Sequence, residues 1–490
     1  MCIELNTDVV VIGGGAAGLA AAVTAAEHGA EVVVLEKSSA PGGAGRMAMG
    51  LFAVESRAQR IRQIGLTREE AFKIFMDYTH WRVDARLVKA YIEKSSSTMD
   101  WLESMGVEFA EVATYFPGGN FTWHLIKTQT GGPGIAAGAI MIKAMANRAA
   151  QLGVKIFLKT PVKKIIKTGG IVTGIQAQNE AGDEIFVKAG AVIIATGGFG
   201  NNPEMIKKYT GYEWGRDIFS FRIPGMEGDG IRMAWDAGAA SGFMNMHLIY
   251  DVPLGEKSPQ LLPVYRLVAH QPGLVVNLSG KRFMNEEIMN NTTFTGNAIA
   301  HQKGRCALNI FDDNTRKYYE EHGLDYIPPH ARIVRVEKIA EDFKQVIADG
   351  NTHVFLADSL EELAEKTGTS IAGLLSTVDE YNHACDLGID DLFYKNRKYL
   401  KPVKKPPFYA TRLFPSGYGS LGGIQINYRT EVLDNNGEVI PGLYAAGTDA
   451  NSIYGDSYAF CLPGNTLGFA VNSGRMAGEN AADFVLKNKK

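Results

Sequence analysis

Cysteine is scarce in this chain of 490 residues: Cys2, Cys306, Cys385 and Cys461 lie too far apart to form CxxC or the CxxCH of haem attachment. The spacing excludes a disulfide scaffold and a thiolate metal site, and it predicts a reduced, cytoplasmic setting with no metal bound. Long apolar runs are missing too. None approaches the ~20 residues that cross a bilayer, so no membrane insertion is expected. The first strand begins within about eight residues of the N-terminus, leaving no room for a secretory signal with a basic start and an apolar core. Nor is one sign of charge in excess. The net charge is −3, and the basic residues are scattered apart from a short solvated tail at Lys487, Lys489 and Lys490, so nucleic acid is not an expected partner.

What is present is a hydrophobic content of 46% and 55 glycines, over a length that exceeds one ordinary core. Two or three globular domains are expected, with many close backbone approaches to a large ligand. The most informative stretch comes first: an apolar run Val9 to Ile12, then Gly13, Gly14, Gly15 and Gly18, a small-residue helix, a second apolar run and Glu36. GxGxxG after a strand, with an acid about twenty residues later at the end of the next strand, is the dinucleotide fingerprint. Gly13 permits the tight turn, Gly15 lets the backbone approach a pyrophosphate, and Gly18 lets the helix starting near Ala16 pack on its strand. The helix amides face the phosphates. Glu36 accepts hydrogen bonds from ribose hydroxyls and repels a 2'-phosphate.

Further along, Pro41 to Gly50 reads as a small-residue loop able to wrap a cofactor, and Thr67 to Gly106 and Ala136 to Gln151 read as helical. Val154 to Thr160, Val162 to Lys167, Val172 to Asn179 and Glu184 to Lys188 alternate as a β-meander, followed by a buried strand Ala191 to Thr196. That strand runs into Gly197, Gly198, Phe199 and Gly200, an ATGG turn whose amides can lie against a flat or phosphorylated ligand. Between about Phe243 and Thr411 the composition shifts to aromatics, prolines and charged helices, as in an inserted domain. The glycine-rich pattern then resumes through IPGLYAAG, Asp449 and GNTLGFAVNSGRMAGENAA.

With both ends in hand, the chain resembles the flavoprotein superfamily of fumarate reductases, succinate dehydrogenases, aspartate oxidases and 3-ketosteroid dehydrogenases. The resemblance rests on VVVIGGGAAGLAAA, VVVLEK, ATGGFG, the GDG at Gly228 to Gly230, GKRFMNE at Gly280 to Glu286, and the two C-terminal motifs. It implies an α/β fold: a Rossmann-like FAD-binding domain of glutathione-reductase type, residues 1–242 and 412–490, with an inserted α+β capping domain, residues 243–411. The histidine that carries covalent flavin in some members is not apparent in SSAPGGAGR, so the FAD is expected to be noncovalent. Its implied contacts are Gly13, Gly15, Ala16, Ala17, Gly18, Glu36 and Lys37, then Gly42, Gly43 and Val162, then Ala195, Thr196 and Gly197. Gly447 and Asp449 follow, the latter on ribityl hydroxyls. Gly464, Asn465, Thr466 and Leu467 open a last helix whose positive end favours an anionic ring.

The chain departs from the fumarate reductases where dicarboxylates are held. By an ungapped reading, Tyr250 stands near their HPT motif, Asn290 and Asn291 near their proton-donating arginine, Tyr418 at their substrate histidine and Cys461 at their carboxylate-binding arginine. Asparagine supplies no cationic proton donor, and tyrosine does not neutralise a carboxylate. Succinate and fumarate are therefore not the expected substrates, unless Arg266, Arg282 or Arg412 takes over a carboxylate. The replacements are phenolic: Tyr115, Tyr250, Tyr418, Tyr454 and Tyr458. The 3-ketosteroid dehydrogenases similarly rely on tyrosines and on a backbone amide near the last glycine-rich turn, here Gly464. Tyr115 lies in an aromatic loop ahead of Trp123 and His124, expected to cover the substrate; His124 and His270 are the histidine candidates for acid or base work.

The reading is a flavin-dependent oxidoreductase moving hydride between flavin N5 and an activated C=C or CH–CH bond of a small, non-dicarboxylate substrate of enone or ketone type, with a tyrosine handling the proton. Direction stays open. The alternatives are an enoate reductase with a displaced carboxylate clamp, amine oxidation of the aspartate oxidase kind, and a flavin electron-transfer subunit. Only one GxGxxG has good context, so no NAD(P)H domain is evident and the electron donor or acceptor is unnamed.

Overall fold

The computed structural model describes residues 2–220, 223–254, 263–327 and 336–489, apart from the side chains of Ser220 and Tyr418. The chain forms two compact units. The first is Met1–Gly211, Arg222–His247 and Tyr418–Lys490; the second is Tyr212–Phe221 and Leu248–Gly417.

The first unit is built on an eight-stranded sheet. Its main path runs Glu431–Leu433, Val439–Ala445, Glu184–Ile194, Cys2–Ile12, Val32–Leu35, Lys155–Phe157, and the hairpin Val162–Thr168 with Ile171–Gln178 hangs from Glu184–Ile194. The central pairings are parallel, with Val9 opposite Val32 and Ala191, and Leu443 opposite Val192. Both sheet faces are covered, so VVVI and VVVL are continuous apolar runs with no polar alternation. The helix Ala16–Glu27 is alanine-rich because it has no space for more: its residues Ala16 to Ala25 are all buried. The last helix, Asn465–Asn488, packs against it so closely that a Cβ at Gly474 would lie 2.3 Å from the Ala17 carbonyl oxygen.

In the second unit, Leu274–Val276, Ala307–Phe311, Val354–Ala357 and the Phe408 to Gly417 part of the long strand Phe408–Ile424 form an antiparallel sheet. Helices Asp313–His322, Ile339–Ala348, Leu360–Thr367 and Ile371–Leu387 belong to the same unit, and two apolar cores fill it, one around Tyr250, Tyr265 and Phe311 and one around Leu308, Leu374 and Tyr381.

Three sequence expectations change. The segments expected at Glu184 to Lys188 and Ala191 to Thr196 form one strand, Glu184–Ile194, because Gly190 makes room for Val485, 2.8 Å from where its Cβ would be, and turns nothing. Val154 to Thr160 is no part of the meander; its strand Lys155–Phe157 pairs in parallel with Val32–Leu35. The domain limits expected at 242/243 and 411/412 fall at 247/248 and 417/418, inside strands Ser241–Asp251 and Phe408–Ile424, each of which runs on through the crossing.

Candidate active site and cofactor cradle

The first turn is set by Gly13, at φ +101°, whose amide donates to the Leu35 carbonyl at 2.8 Å. A Cβ there would lie 2.4 Å from the Ala195 carbonyl oxygen, and one at Gly18 would lie 1.9 Å from the Gly13 carbonyl oxygen. Protein atoms alone explain both glycines. Gly15 is different. Its φ of −74° suits any residue, and the nearest atom to a Cβ would be the Gly42 carbonyl oxygen at 4.0 Å. Nothing in the protein requires glycine there, so the bare backbone at the helix start leaves room for a ligand. Ala16 and Ala17 continue this first turn. The neighbouring loop is tied on by the Gly42 amide, which donates to the Gly14 carbonyl at 2.8 Å, and Gly43 opens the short 3₁₀ turn Gly43–Met47.

Glu36 is buried with both oxygens aimed: Oε2 accepts from the Gly14 amide and Oε1 from the Ser38 amide, each at 2.7 Å. A carboxylate has about four acceptor positions, so two remain for ribose hydroxyls. Lys37 turns elsewhere. Its ammonium pairs with Asp229 at 2.6 Å and Glu227 at 3.2 Å, tying the GDG motif to the second strand. Val162 begins the hairpin strand, opposite Ala177, and the neighbouring Thr160 amide donates to the Glu36 carbonyl at 2.9 Å.

At the ATGG turn the Ala195 amide donates to Ile12, and the turn wraps a carboxylate. Asp449 is fully buried and accepts from the amides of Thr196, Gly197 and Gly198 and from the Thr196 hydroxyl. Burial raises its pKa above the ordinary carboxylate value, against the pull of those donors. Four donors fill both oxygens, so Asp449 shapes the cradle and is not left for ribityl hydroxyls as the sequence suggested. Gly447 is held by the Ser473 hydroxyl, 2.9 Å from its amide.

The last helix begins at Gly464, φ +90°, where a Cβ would lie 2.6 Å from both the Leu51 carbonyl carbon and the Phe52 amide nitrogen. Asn465 is fully buried: its amide group donates to the Ala459 and Leu462 carbonyls, and its oxygen accepts from Tyr91 at 2.8 Å. Tyr454 donates to the Asn465 carbonyl at 3.0 Å. The Tyr458 hydroxyl accepts from the Thr466 amide at 2.9 Å and the Thr466 hydroxyl at 3.0 Å. Leu467 is buried in the next turn. The helix start thus carries the positive end of a long dipole and is held in place from three sides.

The remaining candidates divide by unit. Tyr115, in the first unit, is half-buried with its ring 4.2 Å from Phe460 and 5.7 Å from Trp123, centroid to centroid. His124 is buried, with Ser56 Oγ 2.6 Å from Nε2 and the Thr122 carbonyl 3.0 Å from Nδ1; burial lowers its pKa to about 4, which suits a structural role and not acid–base work. In the second unit Tyr250 is fully buried, donates its hydroxyl proton to the Met289 carbonyl at 3.0 Å, and stacks on His270 at 4.7 Å. His270, in turn, lies 3.4 Å from Asp251 and has a pKa lowered to about 3 by burial and Arg266. The expected acid–base role gives way to packing for both, with Tyr250 enclosed in an apolar core. The Tyr418 side chain lies outside the described residues.

Residues that the sequence reading passed over complete the cradle. Ser420 holds the Phe199 amide at 3.1 Å, Glu227 and Asp229 hold Lys37, and His247 stacks on Tyr458 at 3.9 Å. Only GYGSLGG, with its small residues, carried a signal for the first.

A bare-backbone helix start, a ribose-directed acid, a carboxylate-organised glycine turn and a second helix start fit an extended dinucleotide with a ring system, and the residues present fit FAD. The FAD binding domain family matches residues 8–467, and the chain belongs to that family. It is an FAD-dependent oxidoreductase. Over 98% of its length it is 34% identical to the vinyl phenol reductase of Lactiplantibacillus plantarum, covering 97% of that protein. It is 30% identical to a cytochrome-containing fumarate reductase of Shewanella frigidimarina, over 98% of this chain and 78% of that one. Among solved structures, the 3-ketosteroid Δ4-(5α)-dehydrogenase of Rhodococcus jostii, in complex with 4-androstene-3,17-dione, matches with TM-score 0.77 and 26% identity over 98% of this chain and 97% of that one. Among the described residues no helix is long and apolar enough to cross a membrane, and no group of three or more His, Cys, Asp or Glu is placed to hold a metal.

Proposed function

We propose that this protein acts on an activated C=C or CH–CH bond of a small substrate that carries no pair of carboxylates, of enone or ketone type. When bound, FAD supplies or receives the hydride at N5. The observation that carries the reading is the state of the arginines that could replace the missing carboxylate clamps. Arg282 is buried and doubly bonded to both Glu286 and Asp390, Arg266 is paired with Asp251, and Arg412 donates to the Thr367 carbonyl beneath the Phe355 ring. Arg282 and Arg266 are spent on carboxylates of the protein and, of the three, Arg412 alone meets none among the described residues, so these arginines neutralise at most one substrate carboxylate, and a second, unpaired one costs several kcal/mol to bury. The named substrate of the Lactiplantibacillus relative likewise carries a phenol and no carboxylate.

The groups proposed for the proton and the developing oxyanion are Tyr458, Tyr418 and the Gly464 amide. Two hydrogen bonds from Thr466 fix the position of the Tyr458 oxygen. A cytoplasmic setting belongs to the same proposal, and all four cysteines are free thiols. The test is anaerobic reoxidation of the reduced holoprotein by 2-cyclohexenone, 4-vinylphenol and fumarate. At least one of the first two is expected to react about 100-fold faster than fumarate or more, given the lost clamps. Faster reaction with fumarate overturns the reading, and inertness to all three replaces it with electron transfer to a partner.

A further inference from the structure

The loop that leads into the last helix is lined by aromatic rings, and Phe460 is their hub. Its centroid lies 4.2 Å from Tyr115, 5.7 Å from Tyr458, 6.4 Å from His247 and 6.5 Å from Phe116, the last with ring planes only 11° apart. All of these rings belong to the first unit. Trp123 closes the row toward the helix start: its Cδ1 is 2.8 Å from where a Gly464 Cβ would be. Whatever binds at the helix start therefore has rings beside it.

The wall is also held stiff. Asn120 gives both its backbone and its side-chain amide to the Cys461 carbonyl, at 3.3 and 3.0 Å, and Thr122 gives its hydroxyl to the Pro463 carbonyl at 2.9 Å. The segment carrying Tyr115, Phe116 and Trp123 is thereby fastened to the segment carrying Phe460. The Tyr458 hydroxyl is engaged at Thr466, so toward His247 it presents the face of its ring. Burial lowers the His247 pKa to about 3, which keeps that ring uncharged at neutral pH. Tyr115 and Phe116 stay half-buried at the outer end.

We propose that this wall, whose half-buried outer rings Tyr115 and Phe116 rest on the buried Phe460, is a specificity determinant that packs against an aromatic ring of the substrate, so that the preferred substrates are alkenes conjugated to a planar aryl group. The inference rests on the C=C reading above. Aromatic pairs gain from offset-stacked and edge-to-face contact beyond the area they bury, and a saturated ring of the same size does not.

Two measurements on the oxidised holoprotein test it without turnover. Perturbation of the flavin absorbance is titrated with 4-ethylphenol and with 4-ethylcyclohexanol, first on the unaltered protein and then on Phe460→Leu and Phe460→Tyr, each checked for full FAD content. The phenol is expected to bind about tenfold tighter than the cyclohexanol, Phe460→Leu to bring the ratio near one, and Phe460→Tyr to restore it. Equal binding by the unaltered protein, or a ratio that survives Phe460→Leu, overturns the proposal. Should Phe460→Leu fail to retain FAD, Phe116→Leu at the outer edge takes its place with the same expectation. The two readings fail separately: ring preference without alkene reduction removes the proposed activity and leaves the wall, whereas alkene reduction without ring preference does the reverse.

Discussion

The first unit organises its cradle with backbone, and the second stabilises its interior with charge. Around the dinucleotide turn the contacts are amides, carbonyls and the gaps that glycines leave, with Glu36 and Asp449 each receiving backbone N–H groups. In the second unit Arg282, Glu286, Asp390 and Lys395 form a buried network: Arg282 is forked onto both carboxylates at 2.8 Å, and Lys395, 3.4 Å from Glu286, donates to the Gly273 carbonyl at 2.7 Å and to the Tyr381 hydroxyl at 2.9 Å. Burial works against the Arg282 charge, yet its two partners hold the guanidinium above its ordinary pKa, while burial lowers that of Lys395. A surface that must follow a long ligand is made from groups that occupy little space. A unit whose core carries charge needs every charge met.

The largest expected effect breaks the charged side of that contrast. Arg282→Met leaves Glu286 and Asp390 buried and half-compensated, and should cost about 3–5 kcal/mol. Limited proteolysis should then cut mainly between residues 248 and 417 while the flavin stays bound. Simultaneous loss of flavin would mean that the two units do not fail separately.

A smaller effect comes from the buried neutral histidines. His124 and His247 lie in the first unit and His270 in the second, with pKa values of about 4, 3 and 3 against an ordinary 6.5. Below 6.5 the unfolded chain takes up protons that the folded chain does not, so stability is full above that pH and is lost as pH falls toward 4. Each histidine contributes up to about 1.4 kcal/mol per pH unit across the window. Urea unfolding at about pH 7 and about pH 5 measures the loss, and hydrogen exchange apportions it, with the larger loss expected in the first unit. An equal or reversed split would show that the charge network, and not the histidines, governs acid sensitivity.

The smallest effect on stability sharpens the backbone side. Gly15→Ala enters open space at an ordinary φ, so the gain from a stiffer unfolded chain and the loss of a preferred N-cap residue should nearly cancel, within about 0.5 kcal/mol. FAD affinity should nevertheless fall about tenfold or more, since the added methyl enters the ligand's space. Apoprotein melting and FAD titration read the two together; unchanged affinity would make Gly15 a plain turn residue.

Much of the cradle was legible before any coordinates. Gly13 and Gly18 announce themselves because a tight turn and a helix packed on a strand each demand glycine at one spacing. The partners of Asp449, Lys37, Tyr250 and His270 were not legible, for a common reason: the sequence marks these residues as polar but does not say what they meet. Asp449 meets amides 251 to 253 residues away, Lys37 meets Glu227 and Asp229, and Tyr250 gives its proton to a carbonyl in its own core.

By itself the sequence determined the dinucleotide-binding fold and the FAD-binding family, since those depend on backbone conformation and on residue type at fixed local spacing. Only the tertiary structure decided which charges are spent on one another and that Phe460 gathers rings from two distant segments. Side-chain partnerships across hundreds of residues are set by packing, and packing leaves no local pattern to read.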